Sequence, residues 1–196
     1  MEYKAIVIGS STGGFYALKH IITALPEDFA LPILIVQHIS ANSDNFMAKY
    51  LDGLSKVSVK EADEKEKIQP GSVYISPPNY HLLVEENFTL SLSTEQKCNY
   101  ARPSVDVLFE TAAMAYQNQL IGVVLTGANQ DGALGLQAVK KTGGMTIVQD
   151  PAEAEAYVMP QSAIEKADPH FILSLEGIAK KLIELDKESK SNRSAG

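Results

Sequence analysis

The chain has 196 residues, with 17 Lys and Arg against 24 Asp and Glu, a formal charge of −7 with histidine neutral. Hydrophobic residues make up 45%, enough apolar content to offset ordering entropy, so wholesale disorder is excluded. The acidic balance, without a basic stripe, argues against a nucleic-acid partner, and no apolar run approaches the ~20 residues of a membrane helix.

In chain order, YKAIVIG (residues 3–9) predicts a first strand that ends in the small-residue turn SSTGG. FYALKHIITAL has apolar residues at helical spacing and stops before Pro26. ILIVQH (residues 33–38) is apolar almost throughout, as a strand buried on both faces must be. NSDNFMAKYLDGL predicts a helix capped by Asn42 or Ser43, and KVSVKEA a short strand. SVYISPPNYHLLVEENFTLSLS offers three short alternating segments separated by PPN and EEN, which predicts antiparallel hairpins.

RPSVDVLFETAAMAYQ predicts a helix with Pro103 and Ser104 near its start. LIGVVLTG is a second apolar strand, followed by the polar turn ANQDG and the helix ALGLQAVKK. MTIVQD is one more strand, AEAEAYVMPQSAIEKA is helical but broken by Pro160, FILS is strand-like, and EGIAKKLIELDK closes the domain. The expected architecture is α/β: a doubly wound, mostly parallel sheet with helices on both faces and an antiparallel hairpin extension at about residues 70–95. One domain is expected over residues 1–186, with residues 187–196 a polar, frayed tail.

Sites in such sheets form beyond the carboxyl ends of the strands, where strand order reverses. There the sequence offers Ser10, Ser11, Thr12, Gly13 and Gly14, then Gln37 and His38, then Ala128, Asn129, Gln130 and Asp131. A hydroxyl, an imidazole and a carboxylate on one rim are the parts of a serine hydrolase: the imidazole removes the hydroxyl proton and the carboxylate orients it. The glycine-rich helix start adds free N–H groups suited to an oxyanion. Each residue also has a structural reading: Ser11 and Thr12 as helix caps, His38 as a half-buried strand-end histidine, Asp131 as a cap or turn residue. His20, His81 and His170 are weaker candidates, and no histidine pair has metal-binding spacing, so no metal is expected. The lone Cys98 excludes an internal disulfide, and MEYKAIVIGSS lacks the form of a signal peptide, so a reducing, cytoplasmic setting is the default.

IVIGSSTGG, VQHIS, EKIQPGSVYISPPNYHLL, RPSVDVLFE, VVLTGANQDGALGL and MPQSAI occur in the order found in the chemotaxis protein-glutamate methylesterase catalytic domain, and the chain resembles that CheB family from about residue 6 to 185. The resemblance implies Ser11 as nucleophile, His38 as base and Asp131 as the orienting acid, with no organic cofactor. Backbone N–H groups of Thr12 and of the Ala128 segment are the expected oxyanion donors; Gly13 and Arg102 are candidate substrate contacts, Arg102 equally a structural pairing. The implied substrate is a γ-glutamyl methyl ester on the cytoplasmic helices of a methyl-accepting chemoreceptor, with glutamine deamidation in some members.

The sequence departs from the family at GANQDG, where GMG-x-DG is usual, and lacks the histidine that commonly precedes RPSVD. Asn129 stands in a glycine position, where an allowed φ is needed. Most members also carry an N-terminal receiver domain, which is not expected here because the first strand begins at residue 3. Two other readings remain open at this level: a noncatalytic Rossmann-like nucleotide-binding module using GSSTGG, and a degenerate esterase acting as a receptor-binding scaffold.

Overall fold

A computed structural model describes residues 2–40 and 43–194, the side chains of residues 193 and 194 excepted. The elements are β1 (Ala5–Ser10), α1 (Gly14–Ala24), β2 (Ile33–Gln37), α2 (Phe46–Asp52), β3 (Ser58–Glu61), β4 (Ser72–Ile75), β5 (His81–Val84) and β6 (Leu90–Ser93). They continue as α3 (Val105–Tyr116), β7 (Leu120–Val124), α4 (Ala133–Lys141), β8 (Met145–Gln149), α5 (Val158–Ala167), β9 (Phe171–Leu173) and α6 (Leu175–Ser194). Seven strands form one sheet in the order β3-β4-β2-β1-β7-β8-β9, and every neighbouring pair is parallel.

The continuous apolar runs have a direct cause. Alternate residues of a strand face opposite sides, and here both sides are covered. Ile6 and Ile8 of β1, with Ile33 and Ile35 of β2, pack with α1 and α6. Ala5 and Val7, with Leu34 and Val36, pack on the other face with α3, α4 and α5. From β1 the chain steps to β2 on one side and later to β7 on the other. That reversal puts the ends of β1, β2 and β7 side by side at the carboxyl edge, where such sheets hold their sites.

The architecture follows the sequence expectation, with local differences. Of the three segments predicted as antiparallel, only β5 and β6 pair that way; β4 joins the main sheet in parallel, between β3 and β2. Residues 73–75 are buried as in a core strand, an environment that alternation within a short segment does not reveal. Pro160 does not break α5 but sits at its third residue, in the first turn, where a backbone N–H has no helical partner anyway. Asn42 lies outside the described residues, and Asn45 rather than Ser43 stands at the start of α2.

The predicted tail is a larger correction, because α6 continues through residues 187–194. The Asp186 carboxylate accepts the N–H groups of Ala30 and Leu31, both at 3.0 Å, and the Ser189 hydroxyl accepts the Tyr3 N–H at 3.0 Å. Lys190 bridges Asp186 and Asp28 at 2.8 and 3.0 Å. Tertiary anchors thus extend a helix whose composition alone reads as solvated.

Candidate active site

The tips of β1 and β2 are tied by a buried polar pair. Ser10 donates its hydroxyl to Gln37 Oε1 at 2.7 Å, and Gln37 Nε2 donates to the carbonyls of Ser11 at 2.8 Å and His38 at 3.0 Å. The His38 N–H donates to the Ser10 carbonyl and the Ser11 N–H to that of Thr126, both at 3.0 Å, so the parallel ladders run one step past the strands. Ser11 and His38 are therefore held at fixed positions on one edge. Sequence reading noted Gln37 only as the residue before the histidine; its amide anchors both neighbours.

Neither Ser11 nor Thr12 caps α1. The N-cap is Gly13, at φ 77, with no side-chain capping bond. The structural reading of Ser11 as a cap therefore fails. Its hydroxyl has no hydrogen-bond partner among the described residues, and it lines a cleft of about 500 Å³ together with His38, Asn129, Tyr100 and Arg102.

His38 presents Nε2 to Asp131 Oδ2 at 2.7 Å. Asp131 is fully buried, and five donors surround it. Oδ2 also accepts the Val105 N–H at 2.7 Å; Oδ1 accepts the Ser104 hydroxyl at 2.8 Å, the Asp106 N–H at 3.1 Å and the Asn99 amide at 3.3 Å. Burial pushes the Asp131 carboxyl up, but the His38 hydrogen bond, the Val105 and Asp106 N–H groups and the imidazole charge outweigh it and hold the group below its ordinary value. Asp131 is thus a carboxylate at the N-terminus of α3, where the helix dipole favours an anion. It does not cap α4, whose N-cap is Gly132. Ser104, which reads as the cap of α3, gives its hydroxyl to Asp131 instead.

The second ring nitrogen, His38 Nδ1, faces the amide nitrogen of Asn129 at 3.1 Å, and Asn129 Oδ1 accepts the Asp131 N–H at 3.0 Å. No hydrogen bond joins Ser11 to His38 among the described residues, although both open on the same cleft. Asn129 is not at positive φ, so the backbone concern raised by its glycine position does not arise. The N–H groups of Thr12 and Ala128 have no partner among the described residues, as oxyanion donors require.

Arg102 lines the cleft but is heavily engaged. It donates to Asn79 Oδ1 at 3.2 and 2.8 Å and to the carbonyls of Thr94 and Glu95 at 2.6 and 2.8 Å. Nearby, Cys98 and Ala101 close a two-residue turn whose central residues, Asn99 and Tyr100, have φ of 50 and 63. The turn leaves the Tyr100 ring 96% exposed on the cleft wall. Burial pushes the Cys98 thiol up, away from a reactive thiolate.

Asp106 is a second buried acid behind the site. It accepts the Gly132 and Gly135 N–H groups at 2.9 and 2.7 Å and the Asn99 amide at 2.8 Å. Burial, reinforced by the Asp131 charge, pushes it up to about 6 against the pull of those donors. His81 and His170 are bonded elsewhere, to the Gln96 carbonyl and to Thr146, and His20 lies within α1. Among the described residues no cluster of three His, Cys, Asp or Glu side chains is arranged to hold a metal, and no helix is long and apolar enough to cross a membrane.

Known proteins resemble the chain over nearly its whole length. The family profile described as CheB methylesterase matches residues 6–182. A relative from Leptospira interrogans is 52% identical over 98% of this chain and all of its own length. A Thermotoga maritima protein named protein-glutamate methylesterase/protein-glutamine glutaminase is 40% identical over 93% of this chain, which spans 54% of that protein. The crystal structure of the Thermotoga maritima CheB methylesterase catalytic domain superposes with a TM-score of 0.89 at 39% identity, covering 94% of this chain and all of that one. With a family profile, relatives and a solved fold that each match nearly its whole length, the chain belongs to the CheB methylesterase family.

Proposed function

We propose that the protein hydrolyses γ-glutamyl methyl esters on the cytoplasmic helices of a methyl-accepting chemoreceptor, releasing glutamate and methanol, by a Ser11–His38–Asp131 triad. The observation that carries the reading is the 2.7 Å bond from His38 Nε2 to the buried Asp131 carboxylate, with the opposite ring nitrogen facing Asn129 and both residues on the cleft that Ser11 lines. The acid holds the neutral ring with its proton on Nε2 and leaves Nδ1 as the base. This is the reverse of the serine-protease triad, where the acid holds Nδ1, but the roles are unchanged.

Ser11 Oγ attacks the ester carbonyl as His38 Nδ1 takes its proton. The oxyanion meets the N–H groups of Thr12 and Ala128, each worth about 3 kcal/mol of barrier in comparable sites. Methanol leaves with the proton from His38, and water cleaves the acyl-enzyme by the same route. Deamidation of receptor glutamine would use the same acyl-enzyme with ammonia as leaving group; the names of the relatives favour this second activity. Gly13 shapes the chain at the nucleophile, and Arg102 braces the cleft wall.

The His38–Asp131 pair and the Ser11 side chain on the same cleft favour an active enzyme over a scaffold, and that cleft favours a hydrolase over a nucleotide-binding module. A receptor cytoplasmic fragment carrying radiolabelled methyl esters tests this. The parent protein should release volatile methanol, and folded Ser11→Ala and His38→Ala variants should not. Release at the parent rate by either variant refutes the assignment.

A further inference from the structure

Asn129 stands at the atom that the proposed mechanism needs free. Its Oδ1 accepts the Asp131 N–H at 3.0 Å, which fixes the orientation of the amide. Nδ2 is then the group that faces His38 Nδ1 at 3.1 Å, so the ring nitrogen must accept. The proton of the neutral ring consequently sits on Nε2, where it is donated to Asp131 at 2.7 Å. The chain of bonds Asp131 N–H to Asn129, Asn129 to His38, and His38 to the Asp131 carboxylate closes on itself. It selects the tautomer a base requires and at the same time covers the basic lone pair.

Ser11 Oγ opens on the same cleft without a hydrogen-bond partner among the described residues. Asn129 is only half-buried, in a turn whose neighbours Ala128 and Gln130 are exposed, and about 500 Å³ of cleft lies on its open side. The amide has room to swing away from the ring. We propose that Asn129 is a positioning residue that caps His38 in the resting protein and must release Nδ1 before Ser11 can be deprotonated. The inference rests on the reading of Ser11 and His38 as nucleophile and base.

The cap has a kinetic signature that a merely structural role lacks. A doubly protonated ring has no lone pair to cover, so at acid pH the cap is absent from parent and variant alike. At alkaline pH the parent must break the N–H···N bond before attack, whereas Asn129→Gly need not. The two rate profiles should therefore coincide on the acid side and separate on the plateau, by about three- to tenfold, the factor one neutral hydrogen bond carries. The charged groups around the ring are Asp131 behind it and Lys97 and Arg102 on the cleft, and the substitution alters none of them.

The experiment follows covalent labelling of Ser11 by a fluorophosphonate as a function of pH, together with 15N spectra of the His38 ring. Asn129→Gly should label about fivefold faster on the plateau. Asn129→Asp keeps an acceptor for the Asp131 N–H but sets a carboxylate against Nδ1; it should label more slowly than the parent at neutral pH. In the parent, the neutral ring should carry its proton on Nε2, and the Nδ1 resonance should move in Asn129→Gly. Equal labelling of parent and Asn129→Gly across the whole range overturns the proposal, as does a proton on Nδ1 of the neutral parent ring. If Ser11 is not labelled in any form, the hydrolase reading falls, and the ring spectra alone still decide for or against the cap.

Discussion

Replacing Asp106 by Asn tests the electrostatics behind the site. The substitution keeps the outline of the side chain and one oxygen to accept the Gly132 and Gly135 N–H groups, now at 2.9 and 2.7 Å. It removes a buried carboxyl pushed from 3.8 to about 6. Because the folded state binds this proton more tightly than the unfolded chain, the carboxyl favours folding fully below the ordinary aspartate range. That contribution is lost as pH rises through about 6. A rise of about two units, at about 1.4 kcal/mol each, amounts to ~3 kcal/mol across the window. Asn99, whose amide now donates to Asp106 at 2.8 Å, must reorient in the variant, which adds a constant cost. The expected result in urea unfolding followed by circular dichroism is that Asp106→Asn gains about 2–3 kcal/mol on the parent between pH 4 and pH 7.5, whatever its starting offset. A difference between the two proteins that stays constant over that range would refute the argument, since it would mean that Asp106 does not titrate there in the folded protein.

Other substitutions probe neighbouring contacts. In Asp131→Asn, either amide orientation sets an NH₂ against at least two of the five donors around the acid, so activity should fall about 10⁴-fold and stability by at least about 2 kcal/mol; a loss of activity under tenfold would contradict the role of the acid. The carboxyl of Asp131 is held low, so its contribution to folding is present above the ordinary aspartate range and is lost as pH falls through its own lower value; the parent should lose more stability than Asp131→Asn on acidification. Gly127→Ala puts a Cβ 2.6 Å from Met159 Sδ and 3.0 Å from Ser11 Cβ. It should cost about 1–3 kcal/mol and slow Ser11 labelling by about 100-fold, and labelling at the parent rate would show that the turn does not set the nucleophile's position.

The fold and the site were legible in the sequence to different depths. ILIVQH and LIGVVLTG announced strands buried on both faces, and the polar residues directly after them could be read as one rim because parallel strands bring their ends to the same edge. The same logic failed for SVYI, since four alternating residues fit a hairpin as well as a parallel edge, and only long-range pairing with β2 and β3 decides. Residues 187–194 looked solvated because the anchors of α6, the N–H groups of Tyr3, Ala30 and Leu31, lie more than 150 positions away in the chain. Asn129 was singled out for its φ, yet it matters through its amide; local sequence gives no sign that a turn side chain will meet a histidine from another strand. The Asn99 contacts to both buried acids were likewise hidden, because a two-residue turn between Cys98 and Ala101 aims that side chain inward.

The central claim is that Ser11 carries the acyl group during turnover. Methylated receptor fragment mixed with the protein, quenched in acid within milliseconds and digested, should yield a Ser11 peptide heavier by the acyl-linked receptor fragment, and His38→Ala should yield none. Methanol release without any acylated Ser11 peptide, or with the acyl group on another residue, would contradict the account.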